Sequence, residues 1–114
     1  MRLDPCFLCY SPPGDLPPVS PAPAATSGHV TFGSFNATSK LNEPLLDLWS
    51  RVMREVPGSR LALKAASLVD PRLREDLAAR FVARGVGRER LDLLPPHGPL
   101  REHLDAYSRV DVAL

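Results

Sequence analysis

The sequence is short of three things, and each shortage removes a class of function. It has two cysteines, Cys6 and Cys9, in a lone C-x-x-C. A structural zinc site needs four ligands, and no second cysteine pair or close histidine pair completes one. A redox pair of the thioredoxin kind would sit between a strand and a helix, whereas Pro12 and Pro13 follow this pair closely. The two thiols therefore read as packed or free. An excess of one charge is also missing. The formal net charge is +1, which gives no footprint for nucleic acid or for an anionic membrane surface. No apolar run approaches the ~18 residues of a transmembrane helix. The start, MRLDPCFLCYSPPGD, has one arginine and an apolar patch broken by Pro5, which makes a poor secretory signal. The expected compartment is the cytoplasm, with neither nucleic acid nor membrane as a partner.

What the chain does have is proline, 13 in 114 residues, with seven before residue 24. The composition splits accordingly. Residues 1–28 read as a Pro-rich extended leader, because proline fixes φ, removes donors and excludes helix or central strand. Its apolar part, residues 3–10, reads as a segment that docks on some surface. Residues 29–114 are patterned like a globular domain with one modest core.

Within that domain two periodicities alternate. His29-Val30-Thr31-Phe32 reads as a strand buried on both faces, broken at Gly33-Ser34. Asn42 caps a helix with Pro44 in its first turn, and Leu45, Leu48, Trp49, Val52, Met53 and Val56 form its expected apolar stripe up to Pro57-Gly58. Residues 60–65 read as a second strand. Asp70-Pro71 starts a second helix, lined by Leu73, Leu77, Ala78, Phe81 and Val82 and stopped at Gly85. Residues 91–94 read as a third strand, closed by Pro95-Pro96. Pro99 opens a third helix with Leu100, Leu104 and Tyr107 expected inward, and residues 110–114 make a fourth strand. This β-α-β-α-β-α-β order predicts an α/β fold, a Rossmann-like parallel sheet with flanking helices and right-handed crossovers. Ligands in such sheets lie beyond the carboxyl ends of the strands. That edge consists of Gly33 to Lys40, Ala65 to Val69 and Pro95 to Pro99.

The stretch HVTFGSFNATSK is the one a ligand would use. A strand that runs into a polar loop, carries a cation and opens a helix is a common phosphate holder. From the residues alone, Lys40 also reads as a solvated loop lysine, Asn36 as a turn-former and His103 as a surface histidine. Lys64 points to the same edge as a weaker candidate. The arginines at 72, 74, 80, 84, 88 and 90 interleave with acids and read as a solvated face.

Three pieces then occur in fixed order: F-G-S-F-N-x-x-x-K, W-x-x-x-x-x-x-V-P-x-S-x-L and H-L-x-x-Y-x-x-V-D-V-A-L. With the segments between them they resemble part of the C-terminal catalytic lobe of bacterial O-GlcNAc transferase/Spindly-type glycosyltransferases. The resemblance implies a GT-B enzyme with two Rossmann-like lobes behind tetratricopeptide repeats. Such an enzyme moves N-acetylglucosamine, or fucose, from a nucleotide sugar to Ser/Thr of proteins, with no metal and no cofactor beyond the UDP-sugar donor. Residue by residue, Lys40 matches the catalytic lysine at the diphosphate, and Asn36 shares its motif. His97 and Gly98 match backbone that reads the uracil edge, and His103 matches a histidine against base and ribose. Two positions depart from the pattern: Ala37 replaces an amide, and Leu100 stands where a lysine can occur. The family's strand continues past D-V-A-L into an Asn-Gly-Thr-Thr phosphate wrap, and its other lobe carries the catalytic histidine. The implied partners are therefore UDP-GlcNAc or a related nucleotide sugar, acceptor proteins, and that lobe with its repeats. The 114 residues alone are expected to be an inactive partial lobe of marginal stability. The alternative is a non-catalytic nucleotide-binding or protein-interaction module.

Overall fold

The computed structural model describes Ser11, Gly14, residues 16–96 and residues 98–114. The Cys6/Cys9 pair, the apolar residues 3–10 and His97 lie outside the described residues.

Four parallel strands form the sheet: β1 (Thr31–Ser34), β2 (Arg60–Lys64), β3 (Leu91–Leu94) and β4 (Val112–Ala113). Their spatial order is β3-β2-β1-β4, so the chain steps outward twice and then returns to the other side of β1. That reversal is the switch point at which parallel α/β sheets open a crevice. The helices α2 (Glu43–Glu55) and α3 (Pro71–Val82) connect β1 to β2 and β2 to β3, and α4 (Leu100–Asp105) leads back to β4. Both long helices start as the residues dictate. Asn42 accepts a hydrogen bond from Leu45 N at 3.0 Å, Asp70 accepts one from Arg72 N at 2.8 Å, and each is followed by a first-turn proline. A left-handed glycine, Gly85 at φ 82°, follows the end of α3.

The two sheet faces differ. Phe32, Leu61, Leu63, Leu91 and Leu93 point to one side and pack against α2 and α3 through Leu46, Trp49, Met53, Leu77 and Phe81. This is the core. The opposite face carries Thr31, Gly33, Arg60, Ala62, Lys64, Asp92 and Leu94 by the alternation of parallel strands. There Arg60 and Asp92 form a bidentate ion pair at 2.7 and 3.0 Å.

Several expectations shift. The first strand begins two residues later than read and runs through Gly33-Ser34, with all four of its residues buried. Gly33 is a packing glycine and not a breaker: a Cβ there would lie 2.4 Å from Val110 Cγ2, where the chain returns towards β4. The stripe of α2 is rotated. Leu46 is fully buried and Leu48 is 52% exposed, because 46, 49, 50 and 53 satisfy the helical repeat as well as the stripe read from sequence, and packing of Trp49 and Met53 on the sheet decides between them. Val82 likewise turns outward at 50% exposure. In the third helical segment Leu100 is 58% and Tyr107 43% exposed, since this segment covers only the carboxyl edge of the sheet. β4 is shorter than read. The leader does contain helix: α1 (Ala24–Ser27) occupies a proline-free run, with Pro23 preceding it and Gly28 at φ 73° ending it.

The arginines are more than a solvated face. Arg90 donates to Met53 O at 2.6 Å, Ser59 O at 2.7 Å and Val56 O at 3.1 Å, which ties the last turn of α2 to the turn that follows it. Arg80 and Arg84 both bond Glu43, and Arg84 also reaches Asp47 at 2.6 Å, joining α3 to α2. The side-chain bond from Arg80, then that from Arg84, holds the Glu43 carboxyl below its ordinary value of 4.5. A carboxyl depressed in the folded state adds stability that is present above the unfolded pKa and lost as pH falls through the folded one. Acidification below about pH 4.5 is thus expected to lower the melting temperature of the wild type more than that of Glu43→Gln. Melting curves at about pH 5 and about pH 3 check this, and the difference is small because the pair is exposed.

Candidate functional site at the carboxyl edge of the sheet

The site starts where β1 ends. By strand alternation Phe35 falls on the same face as Gly33 and Lys64, and the chain then turns outward through Asn36 and Ala37. Asn36 Nδ2 donates to Ser34 Oγ at 3.2 Å, which pins the amide above the strand end. The turn Thr38–Lys40 is a single 3-10 turn, and it brings the Lys40 ammonium back to Asn36 Oδ1 at 3.4 Å. Both side chains are exposed, so the cation is presented to solvent in a held position. Thr38 Oγ1 and Ser67 Oγ lie 2.6 Å apart and tie this loop to the one after β2.

The second half of the site comes from α4 and the turn behind it. His103 is half-buried, with its ring 5.8 Å from Phe35 and 5.9 Å from Tyr107, and Tyr107 lies 4.4 Å from Phe35. These three rings make an aromatic patch that a planar heterocycle can stack on or slot beside. Gly98 lies on the loop after β3 at φ 65°, and a Cβ there would fall 1.8 Å from Glu102 Oε2. A main-chain path this close to α4 leaves the Gly98 backbone as its only means of recognition.

The structure therefore joins Asn36 to Lys40 by a direct bond and sets His103 against the residue that precedes Asn36. Gly98 shares the edge, and His97 is outside the described residues. Two residues were not singled out for the site from sequence. Phe35 is its hub, and Tyr107, expected inward, is 43% exposed at this edge. The available signal was the strand period, which puts residues 31, 33 and 35 on one face. A cleft of about 380 Å³ is lined by Lys64, Leu94, Pro95, Glu102, Asp105 and Arg109 among others. Lys40 and Asn36 stand outside that lining.

No family model matches the chain. Among curated proteins the chain is similar to plant proteins named probable UDP-N-acetylglucosamine–peptide N-acetylglucosaminyltransferase SPINDLY. The Arabidopsis thaliana protein is 39% identical and the Petunia hybrida protein 40%, each over all 114 residues. The chain spans 12% of the length of these relatives. Among solved structures, a lysine-to-methionine mutant of Thermobaculum terrenum O-GlcNAc transferase superposes with a TM-score of 0.81 at 40% identity, over 90% of this chain and 19% of that one. Both kinds of relative are glycosyltransferases by name. The chain is thus similar, in sequence over its whole length and in fold over 90% of it, to one segment of the SPINDLY and O-GlcNAc transferase glycosyltransferases.

Proposed function

We propose that this chain forms the nucleotide side of a sugar-nucleotide site, in an enzyme that transfers N-acetylglucosamine from UDP-GlcNAc to hydroxyls of acceptor proteins. The observation that carries the reading is convergence: the Asn36–Lys40 pair and the Phe35–His103–Tyr107 patch, far apart in sequence, meet at one sheet edge. The relatives' names supply the donor class.

Each group then has a task. The uracil ring lies on the aromatic patch beside His103, with the backbone at Gly98 facing its polar edge; the resemblance adds His97 to that contact. The diphosphate runs towards Lys40. Breaking the bond between the sugar and the phosphate builds negative charge on the departing nucleotide, and a fixed ammonium stabilises that charge more in the transition state than in the bound substrate. Asn36 acts through Lys40 by holding its ammonium, and is a positioning residue. Calorimetric titration of the chain tests the reading. Saturable binding of UDP is expected, with uridine weaker by about ten-fold or more for want of the charged contacts. No heat of binding with UDP would overturn it.

A further inference from the structure

Lys64 is a largely covered lysine that the reading above does not use, and its Nζ keeps access to solvent. It ends β2 at the carboxyl edge, is 6% exposed, and lies on the polar sheet face, where its register partner on β3 is Leu94. Its ammonium sits 5.7 Å from the centroid of Phe35, and the residue lines the cleft. Glu102, Asp105 and Arg109 line the same cleft, yet among the described residues none makes an ion pair or hydrogen bond with Lys64. A lysine ammonium has three donors and no acceptor. The aromatic face attracts the charge but leaves those donors unused. A cation with unused donors, open to a cleft and beside a ring of the proposed base site, is suited to a ligand anion.

We infer that Lys64 is a second phosphate-binding cation, contacting the nucleoside diphosphate from the side of Phe35 opposite the Asn36–Lys40 loop. The inference rests on the nucleotide reading above and adds a residue to it. Two cations flanking one ring would place the diphosphate across the end of β1, with the base on the ring patch. Lys64 touches the ligand and so belongs to the binding machinery, while Phe35 orients it.

The test uses UDP and uridine, titrated by calorimetry into the wild type, Lys64→Met and Lys64→Arg, with melting temperatures measured alongside. Lys64→Met is expected to weaken UDP by about ten-fold or more while changing uridine by less than about two-fold. Lys64→Arg keeps the charge and most of the UDP affinity. Lys64→Met is expected to melt within about 2 °C of the wild type, because the ammonium keeps solvent access and leaves no protein acceptor unpaired when removed. Lost UDP binding at unchanged stability is a combination that a purely structural lysine would not produce. Unchanged UDP affinity in Lys64→Met, or equal weakening of UDP and uridine, would overturn the inference and leave the nucleotide reading in place. Failure of the wild type to bind UDP would remove both. Should the methionine variant not fold, Lys64→Gln gives the same comparison with the charge removed and a polar tip kept.

Discussion

Lys40→Ala is expected to weaken UDP binding by roughly thirty-fold, about 2 kcal/mol, and to leave uridine binding nearly unchanged. The reasoning is geometric before it is electrostatic. Lys40 is exposed, and its only side-chain hydrogen bond among the described residues is the 3.4 Å contact to Asn36, so its truncation leaves no buried partner unsatisfied and costs the fold little. Any large change is then a change in ligand binding. Charged hydrogen bonds to phosphate are worth about 1.5–3 kcal/mol, which sets the size of the effect. Asn36→Ala should behave as a weaker copy, because the ammonium remains but is no longer held. In a polypeptide that also carries the other lobe, the loss at Lys40 should fall on the rate of transfer as well as on affinity, since leaving-group charge is greatest in the transition state. Calorimetry with UDP and uridine checks the first statement, and equal affinities of wild type and Lys40→Ala would contradict it.

The second large effect lies at the other end of the sheet. Asp111→Ala is expected to destabilise the chain by about 3 kcal/mol, read as a lower denaturant midpoint at unchanged slope. Asp111 belongs to the closing V-D-V-A-L run but has nothing to do with the ligand edge. Its carboxylate accepts from Thr31 N and from Ala24 N, both at 2.8 Å, so it joins β4 to the start of β1 and to α1 in the leader. Thr31 is buried, and truncating Asp111 leaves its amide without that acceptor. Asp111→Asn should recover part of the loss by keeping one acceptor oxygen. A midpoint within error of wild type for Asp111→Ala would refute the clamp. Nucleotide affinity, measured where the variant is still folded, should not change.

How much of this could be read beforehand follows from how local each signal is. The caps at Asn42 and Asp70 act within three residues, and the structure places both as their side-chain chemistry dictates. Alternation of strand and helix is similarly local, and the parallel α/β fold follows from it. The position of β4 beside β1 is not local, because short connections permit either side of the sheet; the matching of Gly33 to the Val110 side chain suits the observed one. The α2 stripe failed at Leu46 and Leu48 because two rotations of one helix bury similar apolar content, and only the sheet chooses. The site shows the same division. Asn36 and Lys40 are four residues apart and their contact was within reach of the motif. Phe35 with Tyr107 was not, since the partners are joined only by tertiary structure and both look like core residues from their type. The arginines were misjudged for the same reason: Arg90 reaches the end of α2 only after β3 has been laid beside β2.

The most direct measurement is a proton–nitrogen NMR titration of the chain with UDP. The account predicts perturbed amides in two segments at once, Asn36 to Lys40 and Gly98 to Tyr107, with Lys64 joining them and the amino edge around Asp111 silent. Shifts confined to one segment, or centred on the Arg60–Asp92 pair of the polar sheet face, would contradict a nucleotide seated across the end of β1.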